Sequence, residues 1–255
     1  DLSKFGGKEF SPCAILQEQS ENWSKYWAPP DEISRTSCQE AHEIYRDVAL
    51  PHASGYTFTL SDFRKGLRGY NRSSKGSDCF VAKDLKWFPD IFVTGLAKAM
   101  QDSIRKLAMP LQLQLSLNAC LGKKEGMRTI TLTSLLYSVW NRSQEQVRDW
   151  EINNMDEFDT CKPGSSALRA ALGRGMQAEL AHLLGEKTGG LFHDWEKFFD
   201  TININVLLSE ALHTDYPPVH MAFAMQQHLA PRMIKLHNFL GKPIEVCNSI
   251  IAGCR

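Results

Sequence analysis

The chain has no apolar run approaching the roughly 20 residues that span a bilayer, so no transmembrane helix is expected. Its first residues, Asp1-Leu2-Ser3-Lys4, show neither the basic start nor the apolar stretch of a signal peptide, and the missing initiator Met fits a fragment. Paired cysteines are lacking too. The seven (Cys13, Cys38, Cys79, Cys120, Cys161, Cys247, Cys254) are scattered, odd in number and never spaced Cys-x-x-Cys, which argues against a disulfide framework and a zinc knuckle. The expected setting is therefore reducing and intracellular, nucleus or cytoplasm. No charge sign dominates, because 29 Lys and Arg balance 29 Asp and Glu, so composition gives no support for nucleic-acid binding. Any such surface must come from local clustering. The chain also has no internal repeat, no low-complexity linker and no two adjacent Asp residues.

What is present is enough apolar material, 43% of 255 residues, for a sizeable core in one large domain or two small ones. Residues 1–60 carry Trp23, Tyr26, Trp27, Pro29 and Pro30 without long periodicity, apart from a short helix expected over 39–48. They read as an N-terminal extension packed on the main domain. Thr59-x-x-Asp62 ahead of Phe63 has the form of a capping box and predicts a helix start. Arg64, Lys65, Arg68, Arg72 and Lys75 then form a basic run broken by Tyr70, which is either a nucleic-acid surface or a solvated helix face. A polar loop follows over 71–78, and the spacing of Ile91, Leu96, Met100, Ile104 and Leu107 predicts a helix before Pro110. Leu132, Leu135, Leu136, Val139 and Trp140 share one helical face, with Arg142 and Gln144 outside it.

Beyond Pro163-Gly164, Leu168, Leu172, Met176, Leu180 and Leu184 predict a helix over 166–186. Pro217-Pro218 opens another that closes near Pro231, and 243–247 reads as a strand. Strands and helices alternate without the regular spacing of a doubly wound sheet, so the expected class is α+β. Arg232, just past that helix, suits the negative end of its dipole.

Two stretches carry chemistry. Leu191-Phe192-His193-Asp194-Trp195-Glu196-Lys197-Phe198-Phe199-Asp200-Thr201-Ile202 reads as a short strand delivering a carboxylate to a turn and then a helix. Asp194 there can offer hard oxygen ligands to Mg²⁺ where phosphates approach. The plainer alternative is an exposed Asp ending a strand, with Asp200 or Thr201 capping a helix that begins near Asn203. His193 has no second His or Cys at ligand spacing and reads as structural. The other stretch, Lys123-Lys124-Glu125-Gly126-Met127-Arg128-Thr129-Ile130-Thr131-Leu132, is a basic turn flanked by expected strands. Arg supplies a planar fork and Lys a mobile charge for a triphosphate, and Gly126 allows the tight turn. An exposed basic hairpin tip is the alternative.

In order along the chain, these stretches resemble motifs of reverse transcriptases, particularly the non-LTR retrotransposon and group II intron type. The Lys, Gly turn, Arg-x-Ile run resembles the fingers motif, with Thr129 where the family usually has Pro. The Asp194 to Ile202 run resembles the first palm motif. Ser73-Ser74-Lys75-Gly76-Ser77-Asp78 looks like the Gly-x-Asp loop before the fingers, and Asn248-Ser249-Ile250-Ile251-Ala252-Gly253-Cys254-Arg255 looks like the second palm motif, with Ala252 where many members have Gln. The resemblance covers about residues 70 to 255. It implies a helix-rich right-hand polymerase with an extension (1–60), fingers (61–165) and partial palm (166–255). It also implies Asp194 and the Trp195 carbonyl as ligands of Mg²⁺ (or Mn²⁺), and Lys123 or Lys124 with Arg128 on the triphosphate. Phe199 becomes a steric gate against the 2′-hydroxyl, with Gly253 allowing close backbone approach and the 64–75 basic run meeting nucleic acid.

The implied partners are an RNA template, a DNA primer, dNTP and the remainder of the parent polypeptide, with no membrane. The family's second carboxylate cluster, an aromatic-x-Asp-Asp hairpin, is expected beyond Arg255, so these residues alone are expected to be inactive. Two other readings stay open: a non-catalytic RNA-binding remnant, and an unrelated helical scaffold in which all these residues are structural.

Overall fold

The computed structural model describes residues 11–28, 32–122, 127–155, 165–190, 193 and 195–251. In chain order the elements are α1 (Pro12–Trp27), α2 (Glu32–Ala53), α3 (Leu60–Leu67), α4 (Ala82–Trp87), α5 (Asp90–Lys106), α6 (Leu111–Gln114), β1 (Ser116–Gly122), β2 (Met127–Leu132), α7 (Leu135–Arg142), α8 (Glu145–Asn154), α9 (Ala167–Leu183), α10 (Phe198–Thr201), α11 (Ile204–His213), α12 (Pro218–His228), β3 (Arg232–Leu236) and β4 (Phe239–Ile244). The class is α+β. Two compact units divide the chain: residues 145–196 form one, and residues 1–144 with 197–255 form the other.

The larger unit is built on α12. This helix is buried on every side, from Val219 to His228, as expected of an apolar rod at the centre of a helical layer. Around it α2 contributes Tyr45 and Ala49, α5 Met100 and Ile104, α7 Val139 and Trp140, and α11 Ile204 and Leu208. The segment expected as an extension thus supplies a core helix, α2, which runs well beyond the expected 39–48. Its buried Cys38, Ala41, Tyr45 and Ala49 recur three and four apart, and Tyr45 donates its hydroxyl to the Tyr216 carbonyl. α1, capped by Ser11 and opened by Pro12, makes a second core with its Ile15, Leu16, Trp23 and Trp27 face on Ile234, Leu236 and Ile244.

One four-stranded mixed sheet runs β2-β1-β3-β4. β1 and β2 form the expected hairpin, with Leu121 opposite Arg128 and Gly122 opposite Met127, and β1 lies parallel to β3. β4 starts four and ends three residues earlier than the expected strand, because the pairing of β3 with β4 ends at Arg232 and Ile244. Leu132, expected on a helix, is the last residue of β2, and α7 starts at Leu135 behind the capping Ser134.

In the smaller unit α9 fills most of the predicted span, yet Leu168, Leu172, Met176 and Leu180 are exposed and only Ala181 is buried. The expected strand ahead of Asp194 falls mostly outside the described residues, since Leu191, Phe192 and Asp194 are not among them; His193 and Trp195 are described and are in no strand. No helix among the described residues is long and apolar enough to cross a membrane.

Candidate functional site

The 191–202 stretch and the start of the 248–255 stretch, some 50 residues apart, meet through their backbones. The Ile250 N–H donates to the Phe199 carbonyl at 2.9 Å and the Ser249 N–H to the Ile202 carbonyl at 3.2 Å. α10 is one turn long and needs such outside partners, since a single turn cannot hold itself. It gets them on both sides. Asp200 accepts from the Trp27 indole at 2.8 Å, and Lys197, in the left-handed region at φ 50°, lies 3.7 Å from the Tyr26 ring centroid. Phe199 is left 44% exposed by this clamp, so its ring remains open to a partner. Asp200 therefore serves α1, and the cap of α11 is Asn203, whose side chain accepts from the Asn205 and Val206 N–H groups.

The 248–251 segment is held from below by a buried guanidinium. Arg232 donates to Ser249 Oγ at 2.7 Å and to the Ser249 and His228 carbonyls at 3.4 and 3.1 Å, with its plane 4.9 Å from the Trp27 ring. Its contact with the last turn of α12 is the one its sequence position suggested, but its depth and its hold on Ser249 carried no local signal. His228 Nδ1 in turn accepts from the Ile251 N–H at 3.1 Å. Burial, then the Arg232 charge, then His220 push the His228 pKa down to about 3, so its imidazole stays neutral and can accept. The backbone of Trp27 accepts from Cys247 and Asn248, closing the other flank.

A second pair of motif-like stretches also meets. Arg72 donates to the Thr133 carbonyl at 2.8 Å and to Ser138 Oγ at 3.1 Å, and Asp78 accepts from the Leu135 and Leu136 N–H groups at 2.6 and 3.1 Å. An acidic acceptor at the first turn of α7 matches the helix dipole. Burial still raises the Asp78 pKa, against the pull of those N–H groups and Arg72. Gly76 lies so close to this junction that a Cβ would stand 2.1 Å from the Thr133 oxygen. The 71–78 loop thereby braces the exit of the β1–β2 hairpin, and Arg128 stands exposed on β2.

The basic run divides by role. Arg64 turns inward, donating to the Leu85 and Phe88 carbonyls and pairing with Asp90 at 2.6 Å, so it closes α4 and ties it to α5. Arg72 is taken up as described. Lys65, Arg68 and Lys75 are exposed. Lys123, Lys124, Asp194 and Gly253 lie outside the described residues, and Trp195, 71% exposed, belongs to the smaller unit. Among the described residues no group of three His, Cys, Asp or Glu side chains could hold a metal ion. Burial pushes the Cys120 thiol up to about 11, which removes it as a nucleophile near neutral pH. A cleft of about 850 Å³ between α1 and β4 lies away from these stretches. No family model matches the chain, and no curated protein matches it significantly.

Proposed function

We propose that these residues belong to a retroelement reverse transcriptase, an RNA-directed DNA polymerase. The observation that carries the reading is the backbone pairing of Phe199 and Ile202 with Ile250 and Ser249. Two stretches recognised separately in the sequence lie against each other, as a sugar gate and a base-pair platform must. The braced hairpin with Arg128 supports the same reading, because a firm strand that presents an exposed guanidinium suits a triphosphate.

In this reading Arg128, with Lys123 or Lys124, holds the incoming phosphates. Phe199 lies under the sugar, where its ring excludes a 2′-hydroxyl and so favours deoxynucleotides. Gly253 gives the backbone close access to the nascent pair, and Lys65, Arg68 and Lys75 meet the phosphate backbone of template and primer. Mg²⁺ or Mn²⁺, with Asp194 and the Trp195 carbonyl as ligands, would supply charge neutralisation for the triphosphate. No Asp-Asp pair occurs in the 255 residues, so this stretch alone binds nucleotide weakly and does not polymerise. Equilibrium binding of dTTP in Mg²⁺ tests the phosphate site: weak binding lost in Arg128→Ala supports it, and binding equal in the two proteins refutes it.

A non-catalytic RNA-binding remnant is the second reading, favoured by the exposed Lys65, Arg68 and Lys75. It requires that Asp194→Asn leave RNA affinity intact and that no form of the parent polypeptide incorporate dNTP.

A further inference from the structure

The smaller unit has little interior of its own. Among its described residues Val147 and Ala181 are the buried apolar side chains, whereas Leu168, Leu172, Met176, Leu180, Leu183 and Leu184 on α9 and its C-cap are 57–81% exposed. Five of the six recur at spacing four and Leu183 falls among them, so at about 3.6 residues per turn all occupy less than half of the helix circumference. Together they present roughly 600 Å² of apolar surface, the upper end of what a soluble monomer leaves uncovered in one patch. Gly173 and Gly175 flank the ridge with nothing within 4 Å, so a second helix can come close there.

The charges on this helix say what can cover the face. Arg169 and Glu179, both exposed, stand in the rows on either side of the ridge, the cation in the first turn and the anion two to three turns later. Arg174 falls on the opposite side of the helix by its position, and His182 falls at the edge of the face. Three pairs share one midpoint: Leu168 with Leu180, Leu172 with Met176, and Arg169 with Glu179 each lie equally far from Arg174 along the chain. A second α9 laid antiparallel therefore brings every member of these pairs to the level of its counterpart, apolar to apolar and cation to anion. That is the self-complementarity a two-fold interface requires, whereas a parallel copy in register would set Arg169 against Arg169.

We propose that α9 is the contact surface for a second copy of this chain, packed antiparallel about a two-fold axis at the level of Arg174. Leu168 then meets Leu180, Leu172 meets Met176 and Arg169 meets Glu179 of the second copy, each contact being made twice. Two such faces bury about 1,200 Å² in all, the lower end of specific interfaces, so the dimer is weak and forms with rising concentration. The inference is independent of the polymerase reading, because it uses none of the residues assigned to nucleotide or metal.

The test is sedimentation velocity on the 255-residue protein from about 1 to about 100 µM, the range in which an interface of this size associates. Expected is a monomer at the low end and a dimer at the high end, with no larger species. Leu172→Lys, at a position 63% exposed, should weaken dimerisation at least about tenfold with an unchanged circular dichroism spectrum. Arg169→Glu and Glu179→Arg should each weaken it as well, since each sets like charges together twice across the axis, and the double variant should restore it to within about threefold of the wild type. That rescue separates the proposed pairing from non-specific sticking of an apolar helix. A monomer throughout the range, as expected if another protein or another segment covers α9, overturns the proposal. So does a dimer indifferent to Leu172→Lys, or a double variant no better than the single ones.

Discussion

The Ile250 N–H donates to the carbonyl of Phe199 at 2.9 Å, so the residue proposed to face the sugar is fixed through its backbone while its ring stays open. The segment that fixes it is itself held by Arg232. Phe199 is therefore positioned through backbone hydrogen bonds to a segment braced from beneath by Arg232, and substitutions at Arg232 separate stability from chemistry.

Arg232→Met tests the support. It leaves the His228 and Ser249 carbonyls and Ser249 Oγ without their donor in a buried place, for an expected loss of about 3 kcal/mol. Urea denaturation followed by circular dichroism measures it. A loss under about 1 kcal/mol, the size of an ordinary surface change, would mean the guanidinium does not hold the segment.

Glycines provide a paired test. Gly76→Ala places a Cβ 2.1 Å from the Thr133 oxygen, and Gly66→Ala does the same at the Val139 oxygen. Both contacts are with backbone, so each is expected to cost at least about 3 kcal/mol. Gly95→Ala, on the exposed side of α5 with nothing within 4 Å, should instead stabilise by roughly 0.5–1 kcal/mol. Equal melting temperatures for Gly76→Ala and Gly95→Ala would contradict the close packing of loop on hairpin exit.

Acid should unfold the larger unit through its buried histidines. Burial pushes His220 and His228 from 6.5 to about 3 in the fold, with Arg232 adding to the effect at His228. Between pH 6.5 and 3 the unfolded chain binds protons that the folded chain refuses, so stability falls with pH by at most about 1.4 kcal/mol per unit for each. Asp78, raised by burial, acts in the opposite sense, and Asp78→Asn should make the acid-side loss steeper. Urea midpoints at pH 7.5 and 4.5 check this; His220→Gln should flatten the difference, and an unchanged slope counts against the account.

Local rules were legible in the sequence. The capping box at Thr59 is present, with Thr59 and Asp62 exchanging hydrogen bonds, and the helical spacing over 91–107 and 166–186 marks α5 and α9 closely. The hairpin with Arg128 was legible from its charged Gly turn. Tertiary roles were not. Arg64 and Arg72 look like their exposed neighbours Lys65 and Arg68, and only the fold turns their guanidinium groups onto carbonyls 21 and 61 residues away. Trp27 and Tyr26 looked like decoration on an extension because their partners, Asp200 and Lys197, come 173 and 171 residues later. The full length of α2 was hidden because its buried face is small, with Ala41, Ala49 and Ala53 around Tyr45, and alanine spacing is a weak amphipathic signal.

The gate role predicts a change in sugar choice. Phe199→Val, in a polymerase-competent form of the parent polypeptide, should raise ribonucleotide over deoxynucleotide incorporation by roughly tenfold or more, since removing a clash with one hydroxyl is worth at least about 1.4 kcal/mol. The exposed ring makes this change mild for stability. Unaltered discrimination with lowered activity would make Phe199 a packing residue.

The most direct test of the polymerase reading is primer extension on poly(rA)·oligo(dT) in Mg²⁺, using the longest polypeptide that contains these residues and its Asp194→Asn variant. The account predicts template-dependent dTTP incorporation by the first and none by the second. No incorporation by either, with RNA binding intact in both, would contradict it and leave an RNA-binding remnant.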